Sequence, residues 1–248
     1  FARDLEVCGV ITDQTDIAVR SVAYVAQELG LPGIGYETSC LFTDKGLMRE
    51  KMAQLGIPQL PNHTVHSLQE AEAYYAQLGG SVIIKPLDTQ GSRGVQKCTD
   101  LAELREKYPE TNRWSSDGSI IVERFATGRE FVVEGLALNG TFCNLICGDT
   151  HYFDLPDVFA AKQRIFPTTA DGALAERVCE LNTRIITGFG LKQGITHSEF
   201  IMDGDQVYLM ETAARGGGVY ISSDLISLST GLSTEDFLLD MEMRSEEM

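Results

Sequence analysis

Glu199 and Glu211 stand twelve residues apart, in the segments Gly194-Ile-Thr-His-Ser-Glu-Phe-Ile201 and Val207-Tyr-Leu-Met-Glu-Thr212, with Asp203-Gly-Asp205 between them. Both segments alternate with the two-residue period of a strand, and the Asp-Gly step marks a hairpin turn. A loop of Gly204 to Gln206, or a symmetrically longer one, sets Glu199 opposite Glu211 with both carboxylates on one face. Opposed like charges repel. A hard cation between them relieves the repulsion, and Mg²⁺ is held by one or two carboxylates together with substrate phosphates. The competing readings are a solvated hairpin face and a register one residue off that parts the pair.

A second group of residues suits an anion. Lys85 closes the apolar run Ser81-Val-Ile-Ile-Lys85, and the loop Asp88-Thr-Gln-Gly-Ser-Arg-Gly94 follows. One cation with several backbone N–H groups, made approachable by glycines, is how a protein meets a phosphate. No GxxxxGK[ST] and no helix-opening GxGxxG occurs, so neither the P-loop nor the dinucleotide fingerprint applies. A tight turn with a surface lysine is the alternative.

These residues need elements to carry them. Val7–Ile11 reads as a short strand, and Asp16–Leu29 has helical periodicity ending at Gly30 and Pro32. A second helix is expected from about Asp44 to Leu55, before Gly56. A third follows Ser67, whose Glu70 completes a capping box, and ends at Gly79-Gly80. Strands are expected at Ser81–Lys85, Val95–Lys97 and Ser119–Phe125, with a helix capped by Asp100 and Glu103 among them. Arg129–Leu138 and Thr141–Cys147 flank Asn139-Gly140, the strongest hairpin signal in the chain. Leu174, Val178, Leu181 and Ile185 form the stripe of a further helix, and the glutamate hairpin follows. Strands alternating with helices, antiparallel pairs included, indicate an α+β protein of two or three subdomains.

Composition narrows the function class. A chain of 248 residues holds a sizeable core, and a formal net charge of −16 argues against general nucleic-acid binding, which needs basic surface. A polyphosphate must then be held by a few local cations, N–H groups and a metal. No apolar run approaches the ~18 residues of a membrane span. The start, Phe1-Ala-Arg-Asp-Leu-Glu, has no targeting pattern and reads as the inside of a folded unit, hence a piece of a longer protein. The six cysteines show no CxxC pair, which favours buried free thiols in a reducing, cytoplasmic setting over zinc.

Taken in order, Lys45 in Thr43-Asp-Lys45, Lys85 with its glycine loop, Val122-Glu-Arg-Phe125, Gly128-Arg-Glu130, Glu199, and Glu211 with Arg215 and a glycine triplet resemble the ATP-grasp superfamily over roughly residues 5 to 240. The likeness is nearest to the branch of biotin carboxylase, the carbamoyl-phosphate synthetase large chain and the L-amino-acid ligases. It implies an ATP-grasp fold, two α+β lobes gripping ATP, preceded by part of a Rossmann-like domain. Residues 1–42 would be the end of that preceding domain, 43–127 linker helices and the small lobe, and 128–248 the large lobe with the metal site.

The resemblance also assigns roles. Lys45 and Lys85 would contact ATP phosphates under the loop of Gly91, Ser92, Arg93 and Gly94. Glu123, Arg124 and Phe125 would read the adenine edge through their backbone, and Glu130 the ribose hydroxyls. Glu199 and Glu211 would bind Mg²⁺, with Mn²⁺ as a substitute, and Arg215 would stabilise the reacting carboxylate. The implied activity is an ADP-forming carboxylate–amine ligase working through an acyl phosphate on small molecules, amino acids among them. Neither nucleic acid nor membrane is a partner on this reading, and a homodimer is left open. A non-catalytic ATP-binding module and a bicarbonate-using carboxylase or carbamoyl-phosphate enzyme are the alternatives.

One departure bears on these choices. The biotin-carboxylase group carries a metal-binding Asn two residues after the second glutamate, where this chain has Ala213. Carbamate chemistry is therefore disfavoured, and the number of metal ions is left open. Lys162 resembles a ligase-branch lysine that approaches the transferred phosphate, with an exposed loop lysine as the competing reading. His197 either contacts phosphate or orients Glu199, or is structural. Glu134 is expected to be solvated, and His151, Tyr152 and Phe153 either line an acceptor pocket or pack.

Overall fold

A computed structural model describes residues 2–155 and 158–243. Phe1, residues 156–157 and residues 244–248, which fall within the expected units 1–42 and 128–248, lie outside the described residues.

Helices begin and end where local chemistry dictates. α1 (Asp16–Leu29) stops at Gly30, whose φ of 68° suits a residue without Cβ. α2 (Tyr36–Leu41) is a short helix that carries no sequence signal of its own. α3 (Lys45–Gln54) is capped by Asp44, which accepts from the Leu47 N–H at 3.0 Å. After β1 (Asn62–Val65), α4 (Leu68–Leu78) opens on the expected box, with Ser67 accepting from the Glu70 N–H and Glu70 from the His66 N–H. β2 (Val82–Pro86), β3 (Gln96–Cys98), α5 (Leu101–Trp114) and β4 (Ile120–Arg124) follow. The strand expected at Val7–Ile11 does not form. A strand must pair its N–H and C=O groups with a neighbour, and both sheets of the described residues are built from later segments. Val10 and Ile11 instead line an apolar crevice with Val19, Ala23 and Leu238.

The first sheet has the order β1-β4-β2-β3 and is antiparallel at every pairing. Val65, Val82, Ile84, Ile120 and Val122 pack on one side with Leu104 and Tyr108 of α5 and Ala71 of α4. Ile83 and Lys85, the alternate residues of β2, turn to the other side and line a cleft.

The second sheet is formed by β5 (Arg129–Leu138), β6 (Thr141–Tyr152), β7 (Ala161–Ile165), β8 (Gly194–Asp203) and β9 (Gln206–Ala213), in the order β7-β6-β5-β8-β9, all antiparallel. Asn139 and Gly140 turn β5 into β6 with φ of 50° and 79°, the left-handed pair a two-residue hairpin needs. Phe131, Val133, Phe200 and Leu209 pack against Val178, Leu181 and Ile185 of α6 (Gly172–Phe189). Val19 of α1 and Met48 and Met52 of α3 join the same core, so α3 packs with the large sheet although it precedes the small one. The chain then runs through a π-helical turn (Ile221–Leu225), α7 (Ile226–Thr230) and α8 (Thr234–Met243).

The lobes meet at a narrow crossing. Leu60, Ala126 and Ile201 form a small buried cluster with Tyr208 and Met210, and Arg124 pairs with Asp203 at 2.6 Å. Gly128 passes so close to the hairpin that a Cβ there would lie 1.7 Å from the Met202 carbonyl oxygen.

Glu199 does pair with Glu211, but not through the loop the sequence suggested. Asp203 pairs with Gln206, so the turn is the two residues Gly204-Asp205, a register that would set Glu199 against Met210. A bulge between the Phe200–Leu209 and Glu199–Glu211 pairs adds one residue to β9 and restores the opposition. Met210 and Glu211 consequently both face the cleft, while Leu209 stays in the core.

Candidate active site

Between the sheets lies an open cleft of about 1070 Å³, its solvent-facing mouth included. Ile83, Val95, Phe125, Ala126, Ile201 and Met210 give it an apolar part, and Lys45, Lys85, Glu130, Glu199 and Glu211 a charged one. Such a division suits a flat apolar group attached to a polyanion.

Lys85 reaches the cleft from β2, and its ammonium donates to Glu123 Oε2 at 2.7 Å. The other oxygen of Glu123 accepts from Arg49 Nε at 2.8 Å. Burial alone would raise the pKa of Glu123, but Arg49 and Lys85 together hold it down at about 2. Arg49 also donates to the Met210 carbonyl at 2.7 Å, which ties α3 to the bulged strand. Lys45, at the first turn of α3, donates to the Thr89 carbonyl at 2.7 Å and pairs with Glu211 at 3.0 Å.

The loop between β2 and β3 is held at both ends. Gln90 Oε1 accepts from the Asp16 N–H at 2.7 Å, and Ser92 Oγ donates to the Phe159 carbonyl of the large lobe at 3.1 Å. Gly91, Ser92 and Arg93 are all exposed; Ser92 lines the cleft, and Arg93 folds back onto the Gln90 carbonyl. Gly94, at φ of 73°, presses on Pro86 and Trp114, where a Cβ would come within 2.9 Å of either.

On the large sheet, Arg164 Nη2 donates to Glu199 Oε1 at 2.6 Å and Nη1 lies 3.3 Å from His197 Nε2. Burial would raise the pKa of Glu199, but His197 and Arg164 hold it at about 2. His197 in turn contacts the buried Glu134 through Nδ1. Burial works against its proton, yet Glu134 and Glu199 raise its pKa to about 9. Glu130 behaves in the opposite sense: burial raises it to about 7, against the hydrogen bond from Tyr152 and with the help of the Glu199 charge.

Several expectations change. Glu134 is not solvated but 1% exposed, because His197 and the Gly217 N–H at 3.2 Å satisfy it. A Cβ on Gly217 would stand 2.7 Å from Glu134 Oε1, so only glycine lets the backbone reach that carboxylate. Glu123 lies behind the cleft wall as the counter-ion of Lys85, and the N–H groups of Arg124 and Phe125 are donated to the Pro61 and Ser81 carbonyls. Any reading of an adenine edge by N–H groups must therefore use atoms beyond Phe125. Lys162 is exposed: it is the extra residue of a bulge between the His151–Gln163 and Tyr152–Ala161 pairs, and Arg164 takes the inward place. Arg215 is held by Asp16, with Nε to Oδ1 at 2.8 Å and Nη2 to Oδ2 at 3.2 Å. Tyr152 lines the cleft, and His151 and Phe153 are exposed or nearly so. Cys8 and Cys143 are exposed, unlike the buried Cys98 and Cys147.

Two carboxylates in register, each carrying a cation, form a place where positive charge is stable. Among the described residues no group of three or more His, Cys, Asp and Glu converges on a point, so an all-protein cage does not fit. Mg²⁺ does fit, because it keeps water and phosphate oxygens in the remaining positions. Ala213, 2% exposed and paired with His197, adds no ligand.

Residues 78–224 match the family model described as "ATP-grasp domain". The chain belongs to the ATP-grasp family. An L-amino acid ligase from Bacillus licheniformis superposes on this ATP-grasp chain with a TM-score of 0.84 at 25% identity, over 97% of this chain and 57% of that one. The alanine–anticapsin ligase of Bacillus subtilis (strain 168) is 24% identical over 93% of this chain and 53% of its own length. The biotin carboxylase domain of the Hydrogenobacter thermophilus 2-oxoglutarate carboxylase shares the fold, with a TM-score of 0.83 at 18% identity over 98% of this chain and 55% of that one. The chain spans about half the length of the curated relatives it matches. No helix among the described residues is long and apolar enough to cross a membrane.

Arg49, Arg164, Gln90 and Asp16 escaped the sequence reading. Arg164 sits in the polar run Ala161-Lys-Gln-Arg-Ile165, whose only signal is the hydroxyl- and proline-rich turn after it. Arg49 is one cation in an ordinary amphipathic helix.

Proposed function

We propose that this chain supplies the ATP-binding grip and metal site of an ADP-forming carboxylate–amine ligase acting on small molecules, amino acids among them. The observation that carries the reading is the meeting in one cleft of Lys45 and Lys85 with the register-paired Glu199 and Glu211. Phosphoryl transfer asks a protein for positioning and charge neutralisation, and this set offers both. The names of the two ligases support the choice of acceptor chemistry.

On this reading Lys45, Lys85 and the loop Gly91–Gly94 hold the ATP phosphates, and Glu130 takes the ribose hydroxyls. Arg124 and Phe125 border the base, and Glu199 and Glu211 hold Mg²⁺ or Mn²⁺. When bound, the metal would offset charge on the β- and γ-phosphates. Arg215 orients the substrate carboxylate, one oxygen of which attacks the γ-phosphorus while the bridging bond breaks toward ADP. An amine nitrogen then attacks the acyl carbon, phosphate leaves, and an amide remains. Arg164, which donates to Glu199, adds a further cation beside the metal pair, and Lys162 reaches that pair only by swinging inward. Residues 1–42, 43–127 and 128–248 keep their assignment as preceding unit, linker with small lobe, and large lobe. A cytoplasmic location and a homodimer belong to the same proposal.

The test is phosphate release by the full-length protein, given MgATP and paired amino acids or small carboxylates. ADP and amide should form in equal amounts, and only when both partners are present. The grip of Asp16 on Arg215 favours a second reading, a nucleotide-binding module without ligation. Nucleotide binding with no amino-acid-dependent release would establish it, and bicarbonate-dependent release would move the protein to the carboxylase group.

A further inference from the structure

The segment Asp13–Asp16 is wedged between two parts of the site. Asp13 Oδ1 accepts from the Gly216 N–H at 3.0 Å and from Ser222 Oγ at 3.4 Å, and a Cβ on Gly216 would lie 2.5 Å from that oxygen. Gln90 of the glycine loop grips the other end, accepting from the Asp16 N–H at 2.7 Å and donating to Thr15 Oγ1 at 3.2 Å. The turn is forced through Gln14, whose φ of 63° is left-handed for a residue with a side chain. Asp16 is thus fixed by both lobes, and its carboxylate is 16% exposed against 14% for Arg215.

The contact consumes one edge of the guanidinium. Nε and Nη2 go to the two oxygens of Asp16, and Nη1 donates to the Gly216 carbonyl at 2.9 Å. A guanidinium has five N–H donors in a rigid fork. Three are taken; of the two left, the one on Nη2 points along the end-on edge, and neither meets an acceptor among the described residues. Arg215 lies four residues after Glu211, and Gly217 beyond it donates to Glu134, whose other oxygen meets the His197 ring beside Glu199, so the guanidinium sits on the chain leaving the carboxylate pair.

We propose that Asp16 is a positioning residue for Arg215: by holding the Nε–Nη2 edge it fixes the guanidinium plane and turns its remaining N–H donors to a substrate carboxylate. The inference rests on the ligase reading and deepens it, because it makes the bond to Asp16 a support of the carboxylate subsite rather than an obstruction of it. A carboxylate takes a guanidinium edge in two parallel hydrogen bonds, and a rotation of the plane misaligns both.

The experiment uses the full-length protein, MgATP and an equimolar mixture of the twenty L-amino acids, with phosphate release as readout. Asp16→Asn keeps the size of the side chain but sets an amide against the Arg215 N–H donors. It should raise the half-saturating amino-acid concentration by about tenfold or more, as losing a charge-assisted hydrogen bond implies, and change the half-saturating ATP concentration by less than about twofold, since the backbone grip of Gln90 is untouched. Asp16→Glu, which restores the charge one methylene further out, should fall between wild type and Asp16→Asn. Equal rises for ATP and amino acids, or a lowered melting temperature with normal half-saturation, overturn the proposal and leave Asp16 structural. If wild type works and Asp16→Asn is indistinguishable from it, the inference falls and the ligase reading stands. If wild type releases no phosphate with the amino acids or with small carboxylates and amines, both fall.

Discussion

Charge at this site is arranged so that Glu123, Glu199 and Glu211 each already have a cation, and the consequence differs between the buried and the accessible pairs. Glu199 and Glu211 border the cleft, where a metal can replace Arg164 and Lys45. Glu199→Gln or Glu211→Gln should therefore remove most turnover; Glu211→Gln, at a partly exposed position, should leave the melting temperature near that of wild type, whereas Glu199→Gln, which takes the partner from Arg164 and His197, should lower it. Unchanged turnover in the double variant would remove the metal assignment. Glu123 is the contrary case, since it neutralises Arg49 and Lys85 where water cannot. Glu123→Ala leaves two cations without a partner and should cost about 3–5 kcal/mol in urea unfolding. Its folded pKa of about 2 lies below the ordinary 4.5, so its stabilisation is complete above pH 4.5 and disappears as pH falls toward 2. Unfolding measured across that window should show a shallower acid loss in Glu123→Ala than in wild type.

Elements differ in how plainly the sequence announces them. Ser67 and Asp100 cap their helices as read, because capping depends on residues three apart, and Asp44, read as the approximate start of its helix, is the cap of that one. The opposition of Glu199 and Glu211 was legible too, but from an incomplete argument: the turn is one residue shorter than supposed and the bulge at Met210 makes up the difference. Nothing local encodes such compensation. β7 was invisible because an edge strand reading Ala-Lys-Gln-Arg-Ile has no apolar alternation, and with it went the choice between Lys162 and Arg164. The pairing of Asp16 with Arg215 joins residues 199 apart in sequence, beyond any pattern of spacing. The glycine loop gives the prediction proper to this scale. Exposed at Gly91–Arg93 and tethered at Gln90 and Ser92, it should gain hydrogen-exchange protection over residues 88–94 when MgATP is added. Equal protection with and without nucleotide would count against closure over the phosphates.

At the scale of the molecule, the two sheets meet through the cluster around Leu60, the Arg124–Asp203 pair, the Arg49 bridge from Glu123 to Met210 and the Ser92–Phe159 bond, and a ligand in the cleft between them adds to these links. MgADP at about 100 times its dissociation constant should stabilise the fold by about 2.7 kcal/mol. For a protein of this size that corresponds to a melting temperature higher by roughly 5–10 °C. ADP without divalent ion should give a smaller shift, because Glu199 and Glu211 then face the phosphates unscreened. Equal shifts with and without Mg²⁺ would remove the metal from the nucleotide's binding mode.

The hydrogen bond from Ser92 to the Phe159 carbonyl spans the mouth of the cleft from one lobe to the other. If the adenine end of a nucleotide enters past this bond, the bond must break first, and association becomes a first-order opening followed by capture. The observed rate of ATP association would then climb with concentration and level off at the opening rate instead of rising without limit. Ser92→Ala, which deletes the donor, should raise the plateau and the initial slope together, because both scale with the opening rate; a strictly linear dependence in wild type would mean that the mouth stands open.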